Sequence, residues 1–502
     1  MKHRITYLLH DPNGSFDPSQ LNVSGQIFSV KNLKAAKEHR ITLGFDELPQ
    51  ELLLTLKQCY ELHIRWSEEH TWTAYSPFNS LAGPGLHVLF TPHQKVEASR
   101  VCPILKKVFS NDLKCDSPQE TFIGLPILSE RFSTTSSFQY YYRLPLLREL
   151  VTYIQQKICP TEHSACYENA DTLLSASYVD FDYDSISHTL IVKAYWSASP
   201  TTAGWTEAIT SPKADESIEI GVLGSEKPDE HEELKLGGFL TILGRDDHPK
   251  PTRFSFPARH HPLPSFAPAT FKASFKTPTG LHPTLQLTFP RSNLKVPFAG
   301  CALHSYFTLP SHMFIDRYAF ADPLFLSSMR IRQLRSISGE TDLEAPDYVI
   351  KKWGSTALFE IAYPRDFAAN EADWEVSIPL HLRYVSPSHN TSGLEHVSIP
   401  WPAVFWACAA EEGTKMSVNP FDRVNLGYDG LFGDRTMFYH VPPDAVGNGS
   451  GGLIGELTVP VLDMDRAAYV EWGTVAAVVV GITWVCWKLY TVMTEQYTRK
   501  RK

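Results

Sequence analysis

The sequence predicts a mainly β protein: a β-sandwich-type extramembrane part with a few helices, plus one C-terminal transmembrane helix. Three observations predict it. Of thirty-six prolines many fall beside short apolar runs, which suits strands broken by turns better than long helices. From about residue 271 onward, apolar and polar residues alternate between Pro/Gly turns. Near the C-terminus Trp472 to Trp487 carries no charge and the apolar character continues beyond Lys488 to Val492, together long enough to cross a bilayer. The bulk composition agrees. At 502 residues the chain can form two or three domains, and 43% hydrophobic with 12% aromatic residues argues for folded cores. With 46 Lys plus Arg against 55 Asp plus Glu, the net charge of -9 disfavours nucleic acid as a partner.

Residues 1–270 read as a mixed, β-rich N-terminal region. Within it "ELPQELLLTLKQCYELHIRW" and "LPLLRELVTYIQQKIC" carry apolar residues at three- and four-residue steps and predict helices. "SYVDFDYDSI" and "TLIVKAYWSA" predict strands, "SEKPDEHEELK" a solvated loop, and "HPKPTRFSFPARHHPLPSFAPA" an extended segment. Residues 271–464 then predict a β-sandwich domain. It opens with a hairpin, "FKASFK" and "LHPTLQLTF" around "TPTG". Further strands follow at "ALHSYFTL", "TALFEIAY", "EVSIPLHLRYV", "EHVSIPWPAVFWAC" and "LTVPVLD".

Residues 472–492 predict the membrane helix, with Lys488 near its C-terminal end and Trp484, Trp487 and Tyr490 as an interfacial belt. Residues 493–502 form a basic tail ending "TRKRK", against Asp463, Asp465 and Glu471 on the other flank. Positive-inside bias then puts the tail in the cytosol and the large domain across the membrane. The opening "MKHRITYLLHDPNGSFDP" shows no h-region for a cleavable signal, so tail anchoring with a cytosolic domain stays open on these grounds. Glycosylation triplets occur at Asn13, Asn22, Asn390 and Asn448, the last two in Ser/Gly-rich turns. Seven cysteines precede the span, an odd number that cannot all pair within one chain, and Cys486 lies inside it.

Several side-chain groups invite a catalytic reading. Asp180, Asp182 and Asp184 in "VDFDYDSI" resemble the carboxylates that hold a metal against a sugar-nucleotide diphosphate. Their period-two spacing instead predicts a solvated polar face above a buried face of Val179, Phe181 and Tyr183. Asp463 and Asp465 read as the acidic flank of the span. His260 and His261, adjacent on an extended chain, point to opposite sides and cannot share a metal. In "SIPLHLRYV", Ile378, Leu380 and Leu382 share one face and His381 and Arg383 the other, so that pair reads as an outer binding face rather than a nucleophile and its base. "AVFWAC" is continuously apolar, like a strand covered on both sides.

The run "GLHPTLQLTF", "CALHSYFTLPSHMFIDRY", "IPLHLRYVSPS" and "VSIPWPAVFWAC", followed by one span, resembles the PIG-X/Pbn family, and "PTRFSFPARHH" resembles its fungal Pbn branch. The resemblance implies a non-catalytic, stabilising subunit of glycosylphosphatidylinositol mannosyltransferase I in the endoplasmic reticulum membrane. Its partner would be a PIG-M-type multi-span catalytic subunit, with the large domain lumenal and no cofactor of its own. The matching positions are Cys301, His304, Asp316, Tyr318, His381, Arg383, Tyr384, Pro400, Pro402 and Cys408. Of these, His381, Arg383 and Tyr384 are expected at the partner contact. Cys301 and Cys408 are expected as a disulfide, the alternative being two buried thiols. A general lumenal chaperone and a self-sufficient glycosyltransferase are the competing classes.

Overall fold

The computed structural model describes residues 1–9, 20–93, 98–128, 136–159, 164–210, 217–277, 279–291, 294–364, 372–389, 393–414, 416, 419, 421, 425–444 and 452–499. Fourteen strands come from the N-terminal half: β1 (Lys2–Leu9), β2 (Leu21–Ser24), β3 (Ile27–Leu33), β4 (Ala35–Gly44), β5 (Cys59–Ser67), β6 (Gly85–Pro92), β7 (Ile123–Leu128), β8 (Ser136–Tyr142), β9 (Tyr178–Asp184), β10 (Thr189–Trp196), β11 (Trp205–Thr210), β12 (Ser217–Glu226), β13 (Glu233–Ile242) and β14 (Lys250–Pro257). Eleven of them make one sheet in the order β14-β13-β12-β1-β4-β10-β9-β5-β6-β8-β7. Only β1 and β12 run parallel there; β11, β3 and β2 form a small separate sheet.

One face of the large sheet is covered by that small sheet and by helices α1 (Gln50–Leu56), α2 (Val101–Val108), α3 (Pro118–Thr121), α4 (Arg148–Lys157) and α5 (Ser164–Asp171). Leu62, Ile64 and Trp66 of β5 and Val179 and Tyr183 of β9 pack with Ile104, Leu105, Leu150 and Tyr153 of the helices. Here one expectation is corrected. The helix predicted over "ELPQELLLTLKQCYELHIRW" stops at Leu56, and its second half is the central strand β5. The apolar period changes from three or four to two at Cys59, and pairing with β6 and β9 then outweighs local helix preference.

The C-terminal half supplies β15 (His260–Pro262), β16 (Lys272–Phe275), β17 (Thr284–Phe289), β18 (Ala302–Pro310), β19 (Met313–Phe314), β20 (Ile331–Gly339), β21 (Gly354–Ile361), β22 (Trp374–Pro379), β23 (His381–Leu382), β24 (Leu394–Pro400), β25 (Ala403–Ala409), β26 (Thr436–His440) and β27 (Ile454–Pro460), with the short helix α6 (Pro323–Ser328). A six-stranded sheet, β15-β26-β25-β18-β21-β20, packs face to face with β16-β17-β22 and the pair β24-β27. Alternation explains the packing: Leu285, Leu287 and Phe289 of β17 and Val376 and Ile378 of β22 point inward, against Phe307, Phe359 and Trp406.

The opposite face of the six-stranded sheet, with Tyr306, Phe405 and Phe438, is covered by Leu426, Tyr428 and Phe432. Beyond these lies the N-terminal half. Tyr428 donates to the Leu81 carbonyl at 2.7 Å, Tyr306 to Gln139 of β8 at 3.0 Å, and Trp353 to the Gln139 carbonyl at 2.7 Å. Strand β25 is therefore buried on both faces, which is why "AVFWAC" has no polar positions.

Three disulfides are present, Cys102–Cys115, Cys159–Cys166 and Cys301–Cys408, leaving Cys59 buried and Cys486 exposed. Finally α7 (Ala467–Arg499) leaves the domain as one apolar helix. The stretch Met464–Thr494 is long and apolar enough to cross a membrane, and none of its most apolar window is buried against the rest of the chain.

Candidate functional site

Of the aspartates of "VDFDYD", Asp180 is buried and Asp182 partly so, in a seam that the C-terminal half reaches at Asn425, while Asp184 lies in the exposed turn. This corrects the expectation of a solvated face. Asp180 is 1% exposed, and Arg65 across on β5 meets it with two hydrogen bonds, Nε to Oδ1 at 2.7 Å and Nη2 to Oδ2 at 2.6 Å. Arg65 also donates to the Ser80 carbonyl at 2.6 Å and lies 4.2 Å over the Tyr178 ring. Burial works against the guanidinium's charge, but the neighbouring Asp180 more than compensates and holds its pKa above the ordinary arginine value.

One pair along, Asp182 contacts His63 at 3.0 Å and Lys193 at 3.4 Å, and His63 reaches Asn425 of the C-terminal half at 2.9 Å. Asp184 caps the turn after β9 through the Ser187 N–H at 2.8 Å. Sequence alternation gave the correct face, but the segments that cover it, around Ser80 and Asn425, are remote in sequence. The signal that could have found the seam is complementary charge: His63 and Arg65 stand at the same two-residue spacing as Asp180 and Asp182.

The histidine pair behaves as alternation requires. His260 contacts His440 at 2.9 Å, whereas His261 turns the other way to the Ala258 carbonyl at 2.6 Å. Burial pushes the His261 pKa down to about 4, leaving the ring neutral. Among the described residues no group of three or more His, Cys, Asp or Glu side chains is placed to hold a metal.

The segment around "LHLRY" is divided by the structure. Strand β23 pairs with β19, setting His381 opposite Phe314. His381 is half-buried, stacks on Phe314 with ring centres 5.1 Å apart, and meets His282 at 3.1 Å between Nδ1 atoms. Burial first, and His282 second, lower its pKa.

Arg383 is on the same face as His381 but is covered rather than exposed, a second correction. It is 2% exposed, its guanidinium lies 4.2 Å over Phe314, and Nη1 donates to the carbonyls of Asp342 at 2.5 Å and Ala345 at 2.7 Å. Alternation gives the right face, with Leu380 and Leu382 in the core and both His381 and Arg383 against Phe314, but the loop at 342–347 closes over the arginine. Arg383 therefore ties down the loop at 342–347. Arg383→Ala should cost about 1–3 kcal/mol by orphaning two carbonyls, against within ~0.5 for His381→Ala. Urea denaturation of the detergent-solubilised protein checks this; equal midpoints for the two variants would show that Arg383 does no structural work.

Tyr384 is well exposed, beside the same loop, its carbonyl accepting from the Asp347 N–H at 3.0 Å. Four residues later Ser388 is bonded to the root of α7: its N–H reaches the Leu462 carbonyl at 3.4 Å, and its carbonyl accepts from Met464 at 3.0 Å. His389 and Asp465 add a contact at 3.0 Å. Asp463 caps the turn that starts the helix through the Asp465 N–H at 3.0 Å.

Of the other singled-out positions, His304 is fully buried, its Nδ1 donating to the Ala302 carbonyl and its Nε2 accepting from Arg335, and burial lowers its pKa to about 4. Asp316 caps a turn at the Tyr318 N–H, 2.8 Å away, while Tyr318 itself is exposed. Trp401, between Pro400 and Pro402, is buried and its N–H donates to Leu453 at 2.8 Å. Cys301 and Cys408 stand opposite each other, continuing the β18–β25 register, with Cα atoms 4.2 Å apart. Asn22 is exposed on β2; Asn13, Asn390 and Asn448 lie outside the described residues.

Comparison with known proteins gives a consistent result. The family model described as PIG-X / PBN1 matches residues 278–490. "Protein pbn1" of Emericella nidulans is 48% identical, over 97% of this chain and 95% of its own length. "Protein pbn1" of Neurospora crassa is 40% identical over 99% and 96%, and "Protein PBN1" of Candida albicans 28% identical over 48% and 52%.

Proposed function

The chain belongs to the PIG-X/PBN1 family, and on that premise we propose that it is the non-catalytic, stabilising subunit of glycosylphosphatidylinositol mannosyltransferase I. In this reading it sits in the endoplasmic reticulum membrane by α7, with the β domain in the lumen. There it supports a PIG-M-type multi-span partner that adds the first mannose during anchor biosynthesis. The observation that carries the reading is near-full-length similarity to pbn1 proteins. The state of the aspartates supports it: Asp180 and Asp182 are occupied by Arg65, His63 and Lys193 instead of facing open space.

The partner contact is assigned to the surface around His381, with exposed Tyr318 and Leu324 on the segment that follows Phe314. Arg383 acts beneath the surface. Capture of the full-length protein from a mild detergent extract should bring down one multi-span mannosyltransferase in stoichiometric amount. A spread of unrelated client proteins, with none stoichiometric, would favour the chaperone reading and overturn this one.

The topology makes a separate forecast. In the lumen, Asn390 and Asn448 should carry glycans, so glycosidase treatment should increase gel mobility. An unshifted band, together with protease digestion of the large domain in sealed microsomes, would contradict the lumenal placement.

A further inference from the structure

Leu343 on the loop that Arg383 ties down, Tyr348 and Val349 just after it, and Tyr384, bonded to it through the Asp347 N–H, are each exposed, Tyr348 at 62% and Tyr384 at 67%. Contiguous exposed apolar groups of this kind mark a contact surface. What covers them follows from where they are attached. Tyr384 is four residues from Ser388, a reach of at most about 14 Å, and Ser388 is bonded on both sides to Leu462 and Met464 at the root of the span. Leu462 and Met464 at that root, and Tyr469 and Trp472 on the helix, are exposed as well.

The apolar run begins at Trp472, and Asp465, Arg466 and Glu471 lie between it and the root, so the chain from Leu462 to Glu471 enters the bilayer through the headgroup region. The Ser388 bonds hold the neighbouring surface beside that root. That surface must tolerate headgroups and upper acyl chains, which is the environment that tyrosine and tryptophan favour.

We propose that Leu343, Tyr348, Val349 and Tyr384 form a lipid-facing rim that seats the β domain on the bilayer surface beside α7. Charge specifies the surface further. The loop carries Glu340, Asp342, Glu344 and Asp347, and Lys351 next to it is engaged by Glu120 at 3.1 Å. The rim therefore takes neutral headgroups, through apolar and aromatic contact, and gains nothing from anionic lipid. This inference does not rest on the mannosyltransferase assignment, since any single-span chain with this geometry would make the same contact.

The test uses the full-length chain alone in phosphatidylcholine vesicles, so that no other protein can supply the cover. Tyr348→Cys and Tyr384→Cys, each with Cys486→Ser, are labelled with an environment-sensitive nitrobenzoxadiazole dye; Cys59 is buried and the other cysteines are paired. Ile186→Cys in the same background is the control, exposed at the β9–β10 turn, at the far end of β5 from Glu69, whose carbonyl bonds Leu453. The rim labels should show blue-shifted emission and quenching by lipids brominated high on the chain, unchanged when anionic lipid is added. The control should show neither. Rim labels that behave like the control overturn the proposal. So does a shift that scales with protein-to-lipid ratio, which would mean a second copy, or one that requires anionic lipid. Each rim position reports by itself, and Val349→Cys replaces either if it does not fold.

Discussion

Arg65→Ala is expected to destabilise the protein by about 3–5 kcal/mol, the largest effect of any single substitution considered, because it takes the bidentate counter-ion from a buried Asp180 carboxylate. Asp180 is 1% exposed and both of its oxygens accept from Arg65, so no solvent is available to replace the lost donors. The loss should be local in cause and global in effect, since Arg65 also holds the Ser80 carbonyl between the two halves. A double replacement, Arg65→Met with Asp180→Leu, should be milder than either polar deletion alone, because it removes both desolvation costs together. Chemical denaturation in detergent gives the comparison. If these aspartates held a catalytic metal, divalent cations would raise the thermal midpoint and chelation would lower it; the ion-pair account expects no change from either. A cost below about 1 kcal/mol for Arg65→Ala, the level of an exposed pair, would refute the buried seam.

Joint replacement of Cys301 and Cys408 by Ser should cost about 2–5 kcal/mol. The bond joins residues 107 apart in sequence that stand opposite each other on neighbouring strands, so it restricts a long loop in the unfolded chain while matching the native register. The chain-entropy estimate for a loop of about 100 residues is near 4.7 kcal/mol, and native packing of Cys408 against the sandwich core sets how much is realised. Alkylation of the denatured, unreduced protein should label Cys59 and Cys486 alone. Labelling of Cys301 or Cys408 would remove the bond and the forecast with it.

The strands of the C-terminal half were legible because their pattern is local. "TLQLTF" alternates and its inward residues are buried; "AVFWAC" does not alternate and both of its faces are covered. The apolar span was legible for the same reason. What the sequence could not convey was which surface a second element would cover. Asp180 has the look of a solvated strand position until segments far along the chain, at Ser80 and Asn425, close over that face. Arg383 keeps the face that alternation gives it, beside His381 on Phe314, but the loop at 342–347, some forty residues earlier in the chain, closes over it. "ELHIRW" sits directly after a helical run, so local periodicity alone extended the helix into a strand that is held by partners on both edges. At the candidate contact, then, the residue types and their faces were readable, and what covers them was not.

The central claim is that this chain acts by maintaining a catalytic partner. It is tested most directly by replacing His381 and Tyr318 with Ala in the full-length protein and measuring, in the same microsomes, the abundance of the multi-span mannosyltransferase and the transfer of mannose to the glucosaminyl-phosphatidylinositol acceptor. The account predicts that the variant itself stays folded and at its normal level, while partner abundance and transfer fall together in proportion. Transfer lost with the partner at its normal level would contradict it, and would return catalysis to this chain.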